Sequence, residues 1–176
     1  VPLFFPHPEH WTPDFTHITE TYGLTGYVRY LTQRSGTRPA VRSYTIREHR
    51  GDEVDIDFVS HGDDSLAGPW AAKAEPGERV AMIDQGCGFD LRPDADFQLL
   101  VGDESAMPAV LGILRDLPGE AKGLAIIEVP DVDDAQEVVG PDGVEVRWIV
   151  REDPHAHPGE AALAELRGFT PVRPET

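Results

Sequence analysis

The sequence predicts two successive folds in one chain: an antiparallel β half of the kind that closes into a barrel, then a small α/β half built on a parallel sheet. Three observations carry this. Ala40 to Glu48 and Val54 to Ser60 alternate as strands do and are joined through Gly51-Asp52, the signature of a hairpin. Pro76-Gly77 introduces a further strand over Glu78 to Asp84. Beyond Pro93 the pattern changes to apolar runs separated by a helical stretch, which places the boundary at residues 92/93 and the two parts at 1–92 and 93–176.

Taken in order, residues 1 to 5 read as a strand stopped by Pro6 and Pro8, and its abrupt apolar start leads to the expectation of natural strands before Val1. His7 to Gly36 reads as irregular, with a short helix or strand at Thr25 to Thr32. His49 to Glu53 is the expected turn between the two alternating strands. In the second half, Phe97 to Val101 is a strand, Gly102 to Ser105 a turn, and Ala106 to Leu117 a helix with Ser105 as N-cap and Pro108 in its first turn. Leu124 to Val129 and Val144 to Val150 are further strands, Asp131 to Val138 a short helix and Glu160 to Arg167 a last one.

Composition narrows the function classes. Thirty-two acidic residues against 15 lysines and arginines give a formal charge of -17, which opposes a nucleic-acid backbone or an anionic membrane as partner. The single Cys87 excludes an internal disulfide framework and fits a cytoplasmic setting. No apolar run approaches the roughly 20 residues of a membrane span. His7, His10 and His17, near Glu9 and Asp14, match no metal-ligand spacing, and His155 and His157 sit in a proline-bounded loop, so no metal site is expected.

Against that acidic background, Thr37 to Arg47 concentrates positive charge. Arg42 offers a donor fork matched to phosphate, Tyr44 a flat face for a ring system and Thr45 one positioned hydrogen bond. Phosphate plus planar heterocycle describes a nucleotide-type cofactor; the plainer alternative is a barrel-edge strand whose arginines pair with surface acids. His61 to Ala71 adds Gly62, Gly68 and Ser65, whose turns can present amides to a pyrophosphate, and Trp70, which packs either on a ring or in the core. No glycine-rich dinucleotide fingerprint or phosphate loop is present. Asp103, Glu104 and Ser105 lie where a strand ends and a helix begins, the edge at which open parallel sheets place ligands, although acids there also suit a helix start. Glu128 is a charge inside an apolar strand and must either emerge at the sheet edge or pair, with Trp148 and Arg151 ending the next strand.

The run Arg42-Ser43-Tyr44-Thr45-Ile46-Arg47 resembles the flavin-binding signature of the siderophore-interacting proteins, a branch of the ferredoxin-reductase-like flavoproteins. Asp57-Phe58-Val59 with His61-Gly62, Gly68-Pro69-Trp70-Ala71, Pro76-Gly77, the stretch Leu100 to Ala109, Ile127-Glu128-Val129 and Trp148 to Arg151 resemble the same family in the same order. The resemblance implies a flavin-binding antiparallel barrel followed by an α/β nicotinamide-dinucleotide-like domain. It implies FAD, with Arg42 at its phosphate, Tyr44 on the isoalloxazine and Thr45 near the reactive nitrogen, the last two being the catalytic pair. Phe58, His61 and Gly62 would line the adenine side, Trp70 and Ala71 the pyrophosphate, and Asp103, Glu104, Ser105 and Glu128 the cleft between the halves. The implied reaction is reduction of a ferric siderophore to release ferrous iron, with electrons from NADPH, NADH or ferredoxin. The alternatives are a general flavin or ferric-chelate reductase with another acceptor, and a non-catalytic flavin- or siderophore-binding protein.

Overall fold

The computed structural model describes residues 1–7, 13–18, 24–34, 36–59, 65–92 and 94–170, the side chains of Leu24 and Tyr27 excepted. The chain divides into two compact units, Val1–Gly88 and Phe89–Thr176.

In the first unit, β1 (Pro2–Phe5) is the central strand of a three-stranded sheet, flanked antiparallel by β2 (Ala40–Ser43) and β5 (Ala81–Met82). A strand hydrogen-bonded on both sides and covered on both faces has no use for polar side chains, and Leu3, Phe4 and Phe5 are all buried. Leu3 and Phe5 face a core with Ala40, Ala67 and Trp70, and the Phe5 and Trp70 rings stack with centroids 5.3 Å apart. Phe4 meets Tyr30 edge-on from α1 (Leu24–Thr32), and the Tyr30 hydroxyl donates to the Pro39 carbonyl at 2.9 Å. The stretch Thr25 to Thr32 is thus a helix, anchored by the Tyr30 ring.

The expected single strand over Ala40 to Glu48 is two strands. β2 ends at Ser43, and β3 (Ile46–Arg50) pairs with β4 (Glu53–Ile56) in a separate antiparallel hairpin turned at Gly51, whose φ of 59° favours glycine. The strand expected over Val54 to Ser60 stops at Ile56 because Ile56 lies opposite Ile46, the first residue of β3. The strand expected from Glu78 to Asp84 is only Ala81–Met82, since β1 offers it Phe4 and Leu3 alone, with one further bond from Ile83 N to the Pro2 carbonyl. The antiparallel character is as expected; among the described residues the strands make two small sheets rather than a closed barrel. A short helix, α2 (Gly68–Ala71), carries Trp70 into the core.

The second unit is a parallel sheet of β6 (Gln98–Gly102), β7 (Gly123–Val129) and β8 (Val144–Val150), in that spatial order. β7 is central and buried along its whole length. Its odd-numbered residues Ala125, Ile127 and Val129 face α3 (Met107–Asp116), packing on Val110 and Leu114. Its even-numbered residues Leu124 and Ile126 face α4 (Glu160–Gly168) at Ala162. The helix expected over Asp131 to Val138 is one 3₁₀ turn, Val132–Asp134, closed by Asp131 accepting from Asp133 N and Asp134 accepting from Asp131 N. No helix among the described residues is long and apolar enough to cross a membrane.

Candidate functional site

Two places in the molecule carry polar groups beyond what the packing needs, one in each unit. The first is the passage from β2 to β3. The chain leaves one sheet at Ser43 and enters the other at Ile46, so Tyr44 and Thr45 stand at the crossing, both half-buried. Tyr44 is still tied to the first sheet: its N–H donates to the Val1 carbonyl at 2.9 Å, and the Val1 amino group donates to its carbonyl at 2.6 Å. Its ring leans on Phe58 with centroids 4.6 Å apart, and Phe58 in turn meets Trp70 edge-on. This aromatic row runs from the core to the crossing and fixes the Tyr44 ring. Burial pushes the Tyr44 phenol above its ordinary pKa, while the neighbouring Arg42 charge acts the other way.

Arg42 is exposed and donates from Nη1 to the Val41 carbonyl at 2.8 Å, which leaves most of its donor fork turned to solvent. Arg47 differs: its Nε lies 3.7 Å from Asp57 Oδ1. The crossing thus carries Tyr44 and Thr45, with Phe58 packed on the Tyr44 ring and the Arg42 charge near enough to act on its phenol. Trp70 is held within the core, its Nε1 donating to Glu78 at 3.0 Å, and Ala71 ends α2 beside it. His61 and Gly62 lie outside the described residues.

The second place is the carboxyl edge of the parallel sheet, where three charged side chains are buried. Glu104 follows β6, Glu128 lies in β7 and Arg151 follows β8, with relative exposures of 4%, 0% and 6%. Arg151 donates from Nη1 and Nη2 to the two oxygens of Glu104, both at 2.8 Å, and from Nη1 to Glu128 Oε1 at 2.9 Å. Glu128 also accepts from Gly159 N at 2.9 Å and Ala162 N at 2.8 Å, so a carboxylate from the central strand caps the start of α4. Burial pushes the Glu128 carboxyl up, but the Ala162 amide, the Arg151 guanidinium and the Gly159 amide outweigh it and leave it below its ordinary range. Of the two outcomes left open for Glu128, emerging at the sheet edge or pairing, the structure shows it paired with Arg151; that Glu104 shares the same arginine was not visible, although charges at the ends of three adjacent parallel strands were the available signal.

Ser105 does not cap α3. The residue preceding the helix is Ala106, and Asp103 Oδ1 instead accepts from Ser105 N at 2.9 Å, Ser105 Oγ at 2.6 Å and Ala106 N at 3.3 Å. Burial raises the Asp103 carboxyl, and these bonds together with the Arg151 charge bring it below its ordinary value. An open pocket of about 440 Å³ lies at this edge, lined by Val101, Asp103, Ser105, Ala106, Ala162 and Leu163 among others.

Comparison with known proteins bears on both places. A family profile described as "Siderophore-interacting FAD-binding domain" matches residues 1–87, and one described as "Siderophore-interacting protein" matches residues 95–173. The chain is 38% identical over 130 residues to the ferric vibriobactin reductase ViuB of Vibrio cholerae, covering 73% of this chain and 48% of that one. It is 29% identical over 170 residues to the NADPH-dependent ferric-chelate reductase of Escherichia coli, covering 94% and 61%. Among solved structures, the siderophore-interacting protein SipS from Aeromonas hydrophila superposes with a TM-score of 0.69 at 28% identity, over 98% of this chain and 64% of that one. A siderophore utilization protein from T. fusca gives 0.70 at 29%, over 98% and 63%. The chain thus spans about half the length of the first of these relatives and less than two thirds of the others. With both profiles matched in order and solved members of the same kind sharing its fold, the chain belongs to the siderophore-interacting protein family.

Proposed function

We propose that the chain is the flavin-holding part of a ferric-siderophore reductase, with unit 1 as the FAD-binding module and unit 2 as its nicotinamide-dinucleotide-like companion. One observation supports it: the β2–β3 crossing carries an exposed arginine, Arg42, and a tyrosine ring held by an aromatic row, followed in the chain by Thr45, residue types that a phosphate-bearing planar cofactor needs. Arg42 would hold the phosphate, Tyr44 would support the ring, and Thr45 would donate or accept at its reactive nitrogen. Phe58 would keep Tyr44 in place, and Trp70 with Ala71 would form the floor beneath; His61 and Gly62 are assigned to the adenine side by the family likeness alone. The antiparallel sheets of unit 1 are read as segments of a flavin-binding barrel.

Bound FAD would supply the exchange between a reduced nicotinamide dinucleotide or ferredoxin and a ferric siderophore that accepts one electron, releasing ferrous iron in the cytoplasm. The named residues hold, orient and tune; none is required as a nucleophile or a general acid. The relatives named as ferric reductases support this substrate class.

The test is direct. Addition of FAD to the purified chain is expected to quench flavin fluorescence and leave a yellow protein, and Arg42→Ala is expected to weaken that binding by about 10- to 100-fold, the worth of a charge-assisted hydrogen bond to phosphate. Absence of both signals from the unmodified chain overturns the reading. Comparing ferric siderophores with free flavin as electron acceptors separates it from a general flavin reductase.

A further inference from the structure

We propose that the carboxyl edge of the unit 2 sheet excludes the diphosphate of a dinucleotide, because Asp103 and Glu128 stand there as internal anions and already engage backbone donors at the starts of both helices. The inference rests on the reading of unit 2 as nicotinamide-dinucleotide-like, and it limits how such a donor can dock.

Parallel sheets usually receive a diphosphate at this edge, on N–H groups left unpaired in a helix's first turn. In this chain several of those groups are already taken, among them Met107 N at the start of α3, which donates to the Asp103 carbonyl at 2.9 Å. Ser105 N and Ala106 N, before α3, both point at Asp103 Oδ1. Gly159 N and Ala162 N, at α4, point at the two oxygens of Glu128. The one guanidinium buried at this edge, Arg151, is itself engaged by both Glu104 and Glu128. Three carboxylates against one arginine leave the edge negative, and no lysine or arginine lines the pocket among the described residues.

A Cβ built on Gly102 would lie 2.7 Å from the Ala106 Cβ, so strand and helix meet closely there. What remains is an open pocket of about 440 Å³ walled by Val101, Ala106, Ala162 and Leu163, with Asp103 at its rim. Such a pocket admits an uncharged, largely apolar group and repels an anion. A reduced nicotinamide dinucleotide docking on unit 2 must therefore carry its phosphates elsewhere.

The full chain, supplied with FAD and labelled with ¹⁵N, is titrated with inorganic pyrophosphate while amide resonances are followed. The amides of Ser105, Ala106, Gly159 and Ala162 are expected to stay still at millimolar concentration. Saturable shifts of these four overturn the proposal. In Asp103→Ala, which frees Ser105 N and removes one charge, pyrophosphate is expected to shift the Ser105 amide with binding at least about tenfold tighter; a variant that folds and stays as inert as the parent also overturns it. If that variant does not fold, the titration of the unmodified chain decides alone. Flavin absorbance read in the same samples reports on the FAD reading independently, so failure of one is distinguishable from failure of the other.

Discussion

Arg151 shows how much can depend on one side chain. Glu104 and Glu128 are buried and acidic, and Glu128 sits near the carboxyl end of an otherwise apolar strand. Moving one carboxylate from water into such surroundings costs several kcal/mol unless bonds replace the lost hydration. The replacement is complete for Glu128, with two backbone amides and the guanidinium on its two oxygens. Arg151→Met keeps most of the volume but strands both acids, and is expected to lower stability by about 3–5 kcal/mol. Urea unfolding followed by Trp148 fluorescence checks this, and a loss below about 1 kcal/mol would mean the cluster relaxes freely. Removing the guanidinium also frees Glu104, so the turn that Asp103 organises loses its anchor to the end of β8.

Among the elements, strand and helix approach closely at the β6–α3 junction. Gly102→Ala would force a Cβ against Ala106 at 2.7 Å, shorter than carbon atoms tolerate, and strand and helix would have to separate. A loss of about 1–3 kcal/mol is expected by thermal unfolding, and Ala106→Gly in the same chain is expected to recover part of it; no recovery would place the strain elsewhere. The elements were unevenly legible in the sequence. β8 spans Val144–Val150 as its apolar run indicates, and the alternation of strand and helix correctly implied a parallel sheet. The division of Ala40 to Glu48 into two strands was hidden because alternation continues across it; what changes at Tyr44 is the hydrogen-bonding partner, which side-chain pattern does not record. The lengths of β4 and β5 were overestimated for the same reason, since each ends where its partner ends. At the candidate sites, Arg42 and Tyr44 were legible as a pair because they share one strand end, whereas Glu104 and Arg151 are brought together only by the register of three parallel strands.

At the scale of the whole molecule, a formal charge of -17 sets two effects against each other as pH falls. Protonation relieves general repulsion, which favours the compact state but is screened by salt. It also removes the charges of Asp103 and Glu128, whose carboxyls lie below their ordinary values in the folded chain. A carboxyl held low stabilises the fold fully above its unfolded pKa, about 4 for these groups, and that contribution is lost as pH falls through the lower folded value. In about 0.15 M salt the urea midpoint is therefore expected to hold between about pH 7 and 5 and to drop below about pH 4.5. Glu128→Gln should start lower and fall less steeply. A midpoint that rises steadily on acidification would show that repulsion dominates instead.

The central place of β1 has a consequence for the order of events on the ribosome. Leu3 to Phe5 are made well before their partners, since β2 emerges only with Ala40–Ser43 and β5 only with Ala81–Met82. Until β2 appears this apolar strand has no described neighbour to pair with, while unit 2, with each strand beside the next in sequence, completes its pairs as it is made. The central strand of the unit that carries Arg42 and Tyr44 thus waits for one edge partner and then, much longer, for the other, and its apolar side chains depend on being kept from other chains during that interval.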